Sequence, residues 1–353
     1  MHDKVHVAIV RWNLADDYNR HTAAAMASVM ENCSVPVVFH LLHEGKMSFQ
    51  DMDAAEENME KYRELTNKYN AEVYFHDVIL PEWVNGDTIP ALKIYGAPTG
   101  FYRLFLPILL PNLDKIISLG SDVIVKMDMA KLYDLNLENY SLAGCLDQGL
   151  PYALQHVKNL KRYYESVSMP IDSYVNADVL IFNLKKIRCE KTLPDKAIEY
   201  LQKHQDTPFL EQDIFNSIFY DEKIILPSRY NTFSGLGFGK EWVETIISKE
   251  NNSDTFSDYI LHFAKNVKPW NEYVSKYDME YWYYLSLTPW GKDGKVFHLM
   301  PQALASADDV IQDIDKYIWR YSLKEKIKKI WHLFIPLYGK IGARYLQDLM
   351  KSK

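Results

Sequence analysis

The chain has 353 residues, 48% of them hydrophobic and 14% aromatic, which is ample material for one large core or two fused ones. Three scattered cysteines, Cys33, Cys145 and Cys189, exclude a disulfide framework and a zinc-ligand spacing and are expected as reduced thiols. The net charge of −7 is uneven: Arg320 to Lys353 carries nine Lys/Arg against Glu325 and Asp348, a net +7 that leaves −14 on the rest, so the body is no general nucleic-acid binder while the tail suits a local anionic partner.

Val5 to Val10 is short, β-branched and bounded by charge, and reads as the first strand. A turn at Asn13 to Asp17 follows, then helical spacing of alanines and Met26 from His21 to Met30. Val35 to Leu42 reads as a second buried strand. Met47 to Tyr69 is polar with apolar residues every three or four positions, the pattern of a surface helix. Val73-Tyr74-Phe75 is a third strand. This β-α-β-α-β alternation predicts a mostly parallel, doubly wound α/β sheet covered by helices. Thr99 to Leu110 reads as a helix closed by Pro111-Asn112. Lys115 to Leu119 is the next strand, and Asp122 stands just past its carboxyl end, where open α/β sheets place ligands. Val179 to Asn183, Lys223 to Leu226 and Tyr259 to Phe263 complete the strands. No internal repeat is present. Composition changes after about Ser306, which predicts one α/β domain over 1–305 and a basic amphipathic segment over 306–353.

Four separated blocks occur in one order: Phe101-Tyr102-Arg103-Leu104, Ser118 to Val123, Tyr174 to Val179, and His262 to Trp270. Together with Glu211-Gln212-Asp213 they resemble the sugar-nucleotide site of retaining glycosyltransferases of family 8, over about residues 5 to 290. The resemblance implies a GT-A-type nucleotide-diphospho-sugar transferase fold. It also implies transfer of glucose or galactose from a UDP-sugar to a saccharide acceptor on a surface glycan, lipopolysaccharide or glycoprotein. Such transfer needs a uridine pocket, positive charge for the departing diphosphate, and polar groups that stabilise a cationic sugar without admitting water. Family members commonly meet the second need with Mn²⁺ or Mg²⁺ held by an Asp-x-Asp and a distant His, ligands suited to these ions.

Here that Asp-x-Asp falls on Gly120-Ser121-Asp122, which leaves Asp122 and His262 as metal ligands, with Ser121 beside the donor. Two further departures are Asn176-Ala177-Asp178 in place of Asn-Ala-Gly, and Lys265 in place of a glycine three residues after His262. They leave two compensations open. Lys265 with Lys268 partly replaces the cation on the diphosphate, or Asp178 supplies the missing carboxylate from a neighbouring strand end. By resemblance, Arg103 reaches the donor, Lys268 contacts the β-phosphate and Trp270 packs beneath it. Gln212 lies on the β-face of the transferred sugar, Asp147 holds sugar hydroxyls, and Asn176, Ala177 and Glu211 line the same pocket. Anchored on Tyr18 and His21, the uracil-binding aspartate of the family falls on Ala15. Tyr18 would then stack on the base and Asp17 accept from its N3–H, with His21 packing or capping.

The competing function is a non-catalytic member that keeps the fold, binds nucleotide and supports another transferase; Gly120 is its basis. A nucleotidyltransferase gives no role to His262–Trp270 or Glu211–Asp213. No signal-peptide pattern precedes the first strand and no apolar run reaches the ~20 residues of a span. The expected location is therefore cytoplasmic, with Ile318 to Lys353, which mixes basic and aromatic residues, meeting an anionic membrane at its inner face.

Overall fold

The alternating elements assemble into a seven-stranded sheet with a smaller sheet at its side. The computed structural model describes residues 3–292, apart from 12, 46–50, 96–97, 190–192, 235–242, 244, 246–257, 265–267 and 272–276. The strands are β1 (Val5–Val10), β2 (Val37–Glu44), β3 (Glu72–Val78), β4 (Lys115–Leu119), β5 (Val123–Lys126), β6 (Leu142–Leu146), β7 (Val175–Asn183), β8 (Lys223–Leu226), β9 (Thr232–Phe233) and β10 (Tyr259–His262). The large sheet runs β3-β2-β1-β4-β7-β6-β8. Its β3, β2, β1 and β4 are parallel neighbours, as are β6 and β8, while β7 runs antiparallel to both β4 and β6. The expected mostly parallel α/β sheet is thus present, with one reversed strand, β7, in its interior.

Helix α1 (Asn19–Asn32) packs its alanine face on the sheet, and α2 (Met52–Lys68) starts at Asp51, whose side chain accepts from the Ala54 amide at 3.0 Å. Alternation along β1 sends Val5, Val7 and Ile9 into one core and Ala8 and Val10 into a second on the opposite face. Burying both faces explains why β1 and β2 read as continuous apolar runs.

Two elements depart from the pattern read above. The helix expected over Thr99 to Leu110 is a 3₁₀ segment, Thr99–Phe105, followed by a short α-turn, Leu106–Leu109. Pro107 has no amide hydrogen to give the Arg103 carbonyl, and the Leu106 amide takes that carbonyl instead, which tightens the turn. The strand expected at Val179 begins at Val175, so Asn176 and Asp178 lie within it. The side sheet, order β5-β10-β9, positions function directly. Its antiparallel register pairs His262 with Val123, which sets the imidazole beside Asp122. Segment 306–353 lies outside the described residues. No helix among the described residues is long and apolar enough to cross a membrane.

Candidate active site

The turn after β4 carries Gly120-Ser121-Asp122, and the Gly120 amide donates to the Asp178 carbonyl of β7 at 2.8 Å. Asp122, Asp178 and His262 each present a ligand atom, all within 4.8 Å of one another. His262 Nε2 stands 3.3 Å from Asp178 Oδ2 and 3.7 Å from Asp122 Oδ2. Lys268 Nζ donates to Asp122 Oδ2 at 2.6 Å and also to the Phe263 carbonyl. Two carboxylates and an imidazole are a donor set that fits a divalent cation such as Mn²⁺ or Mg²⁺.

Asn231 fixes the imidazole. Its Nδ2 donates to Asn176 Oδ1 at 2.9 Å, so its Oδ1 is the acceptor toward His262 Nδ1, 3.0 Å away. Nδ1 therefore carries a hydrogen, and Nε2 is the atom that faces the carboxylates and would be offered to a metal. Burial alone would raise the Asp122 carboxyl, but Lys268 and His262 hold it well below the usual carboxylate range. Burial would equally depress His262, yet Asp122 and Asp178 outweigh it and raise the imidazole above its ordinary value. Sequence reasoning passed over Asn231, which shows only as one polar residue in the loop after β8.

A second network adjoins the first. Asp147, one residue past β6, accepts from the Gly149 and Leu150 amides through Oδ1, at 2.8 and 2.9 Å. Its Oδ2 accepts from Asn176 Nδ2 and Gln212 Nε2, both at 3.0 Å. Gln212 Oε1 in turn accepts from the Ala177 amide at 2.9 Å and from Asn176 Nδ2 at 3.1 Å. The Gln212 amide is thus locked in one orientation by three partners. Its neighbour Asp213 is buried, and accepts from the Tyr164, Tyr174 and Thr207 hydroxyls, anchoring the helix Leu210–Ile218.

Arg103 ties Asp178 of the first network to Glu211, the chain neighbour of Gln212. It is 2% exposed, with Nε to Ser118 Oγ, one terminal nitrogen to Glu211 Oε1 and the other to Asp178 Oδ1, each at 3.1 Å. Two sides of the planar fork are thus engaged by carboxylates. Burial raises the Glu211 carboxyl, with Arg103 opposing. Glu211 lies against Gly100, where a Cβ would fall 1.9 Å from its Cδ.

The remaining expected residues divide. Tyr18 packs edge-on against His21 and Trp270, with ring centroids 4.7 and 5.8 Å away, and His21 stacks on Trp270 at 3.8 Å. Asp17 is not brought to the cluster: its side chain is 96% exposed, 3.9 Å from Arg20. That turn is held instead by Arg11, which sequence reasoning missed although it follows β1 directly. Arg11 is buried, lies over the Tyr18 ring at 5.0 Å, pairs with Asp16 and donates to Asn19. Ser121 turns away from Asp122, donating to the Val10 carbonyl and accepting from Thr22 at 3.2 and 3.1 Å. Lys265 lies outside the described residues.

Residues 9–273 match the family described as glycosyl transferase family 8. The chain belongs to that family. The family 8 chain is 26% identical over 286 residues to General stress protein A of Bacillus subtilis (strain 168), covering 79% of this chain and 93% of that one. It is 26% identical over 209 residues to lipopolysaccharide 1,2-glucosyltransferase of Escherichia coli (strain K12), covering 58% of this chain and 59% of that protein. The solved structure of the galactosyltransferase LgtC with donor and acceptor sugar analogues superposes with a TM-score of 0.61 at 18% identity, over 81% of this chain and 96% of LgtC. That likeness shows a common GT-A-type fold. Membership makes this chain a glycosyltransferase-family enzyme, and the reading as a non-catalytic partner is not favoured.

Proposed function

We propose that this family 8 enzyme transfers glucose or galactose from a UDP-sugar to a saccharide acceptor of a surface glycan, lipopolysaccharide or glycoprotein, with retention of configuration. One observation carries the reading. The Asp122–Asp178–His262 cluster and the Asp147–Asn176–Gln212 network share an edge, because Asn176 Oδ1 accepts from the Asp178 amide at 3.0 Å. This adjacency supports a reading in which a diphosphate-binding centre adjoins polar groups for the sugar, the two parts a sugar-nucleotide donor needs. Mn²⁺ or Mg²⁺ at Asp122 and His262 would neutralise the departing diphosphate. Lys268 adds a compact ammonium at the same point. Asp147, Asn176 and Ala177 hold donor-sugar hydroxyls, while the locked Gln212 amide presents a neutral dipole to the anomeric carbon, stabilising positive charge without becoming a strong nucleophile. Tyr18 borders the uracil end.

Incubation with UDP-glucose or UDP-galactose, with Mn²⁺ or with EDTA, followed by assay of free UDP, tests the proposal. Cation-dependent UDP release from one donor is expected, with the product anomer matching the donor by NMR. UDP binding without turnover of either donor refutes it. We place the enzyme in the cytoplasm at the inner membrane face, through segment 306–353. Truncation after residue 305 should abolish sedimentation with anionic vesicles, and unchanged sedimentation removes that assignment.

A further inference from the structure

The family's Asp-x-Asp supplies two carboxylates from one turn, whereas this chain has glycine at the first position. We infer that Asp178 of β7 has taken over the cation-ligating role of that lost carboxylate, and that Gly120 is glycine because Asp178 occupies its side-chain space. The inference deepens the cation-assisted reading above and rests on it.

Three observations converge. First, the two residues are backbone neighbours across strands, joined by the 2.8 Å bond from the Gly120 amide to the Asp178 carbonyl. Second, a Cβ built on Gly120 would stand 2.7 Å from Asp178 Oδ1 and 2.9 Å from Asp122 Oδ1. The backbone at Gly120 does not lie in the left-handed region, so nothing in its conformation calls for glycine. What excludes a side chain there is the pair of carboxylates. A side chain growing from position 120 would enter the volume that Asp178 already fills, so the carboxylate has moved between strands while staying at the same place in the site. Third, Asp178 is held as metal-binding carboxylates are held. Arg103 donates to its Oδ1 at 3.1 Å, and its Oδ2 is left on the side of His262 Nε2, 3.3 Å away. The Asp178 side chain is 32% exposed, which leaves it open to an entering cation.

Charge supports the same assignment. With the Lys268 ammonium on Asp122, one aspartate alone would be neutralised, and it is Asp178 that leaves a net negative charge to draw a dication. Arg103 is balanced by Glu211, to which its other terminal nitrogen donates. Arg103 is a positioning residue in this scheme, since it acts on the cation through Asp178.

The test is Mn²⁺ binding by the full chain, alone and with UDP, read from the free Mn²⁺ signal in electron paramagnetic resonance. No turnover is involved, and circular dichroism checks the fold of each variant. Asp122→Asn and Asp178→Asn should each weaken Mn²⁺ by at least about tenfold, since even the loss of a supporting outer residue costs 10–100-fold. The decisive variant returns the carboxylate to its family position. Gly120→Asp/Asp178→Gly should bind Mn²⁺ at least about tenfold more tightly than Asp178→Gly alone, a coupling that two independent sites would not show. Gly120→Asp alone should gain nothing, because its side chain meets Asp178. Parent-like binding by Asp178→Asn alongside loss in Asp122→Asn overturns the transposition and leaves the cation site intact. Equal binding by the parent and Asp122→Asn overturns the cation site itself. A double variant no better than Asp178→Gly also overturns the transposition, and does so even if Asp178→Asn folds poorly.

Discussion

Replacing Arg103 with methionine keeps the bulk of the side chain and removes the charge that ties the two carboxylates together. Arg103 is 2% exposed and donates to Ser118, Glu211 and Asp178, each at 3.1 Å. Breaking a buried ion pair from one side costs about 3–5 kcal/mol, chiefly because the partner is left charged and unpaired. Here the two acids differ. The Asp178 side chain is 32% exposed and can turn to water, whereas that of Glu211 is 15% exposed and has Gly100 against it. The lower end, about 3 kcal/mol, is therefore expected at pH 8, nearly all of it from Glu211. Glu211 has an escape that Arg103 now restrains. Burial already raises its carboxyl, and without the guanidinium it rises further. An acid whose folded pKa is raised carries a penalty that is absent below its unfolded value and grows as pH rises toward the folded one. The Arg103→Met loss should therefore shrink steadily from pH 8 toward pH 4.5. Adding Glu211→Gln should restore much of the stability at pH 8 and flatten the dependence. Urea unfolding of the parent, Arg103→Met, Glu211→Gln and the double variant at several pH values reads both effects. A loss under about 0.5 kcal/mol, or a loss of 3 kcal/mol that is the same at every pH, would show that the pairing does not carry the energy assigned to it.

Gly100→Ala puts a methyl group where the Glu211 carboxylate lies, 1.9 Å from its Cδ, and should cost about 1–3 kcal/mol by overpacking; in a Glu211→Ala background the same substitution should cost much less in thermal melts. Asn231→Leu removes the acceptor of His262 Nδ1 and should weaken Mn²⁺ by about 10–100-fold with an unchanged circular dichroism spectrum; unaltered binding would dismiss its orienting role. His40 sits between His6 and His76 on three neighbouring strands, with N···N distances of 3.1 and 3.0 Å. Burial, then His76 and His6, pull its pKa down to about 3. For a base depressed on folding, the unfolded chain binds the extra proton, so stability is full above pH 6.5 and falls as pH drops toward 3. Acidification from pH 7.5 to 5 should cost the parent about 2 kcal/mol through this residue, and His40→Leu should lose that much less in urea titrations.

The strands β1, β4 and β8 were legible to the residue because each is a short apolar run ended by charge, glycine or proline. Of the side sheet, β10 was read as Tyr259 to Phe263 but β5 and β9 were not, and β9 has two residues, too few for any periodicity to register. Residues whose chemistry is carried by a block, such as Asp122, His262, Gln212 and Asp147, could be located from spacing within the family pattern. Asn231, Arg11 and the ties of Ser121 could not. Asn231 and Ser121 act through partners distant in the chain, Arg11 through a turn whose contacts exist only once it is folded, and single polar residues at strand ends leave no pattern. Asp17 shows the converse: alignment on Tyr18 and His21 marked a residue whose carboxylate the fold points into water.

The exchange between Gly120 and Asp178 depends on the one feature of the sheet that alternation of strands and helices does not predict. Were β7 parallel to its neighbour β4, its last residue, Asn183, would lie at the ligand end of the sheet, and Asp178 would be near mid-strand. Antiparallel pairing instead sets Leu119 opposite Val179 and Lys115 opposite Asn183, so β7 enters the sheet at the site. Its first residues, Val175 to Asp178, then stand beside the Gly120 turn, while its apolar remainder runs down into the core. The same reversal explains why a strand can begin with Asn176 and Asp178 at all. At the ligand end these polar groups find Gln212, Asp147, Arg103 and His262, whereas lower in the sheet their burial without partners would cost several kcal/mol, on the order of 1–3 for each unpaired group. A carboxylate lost from one strand end can thus be regained only at a position whose strand terminates in the same place, and position 178 satisfies that condition through its pairing with Gly120.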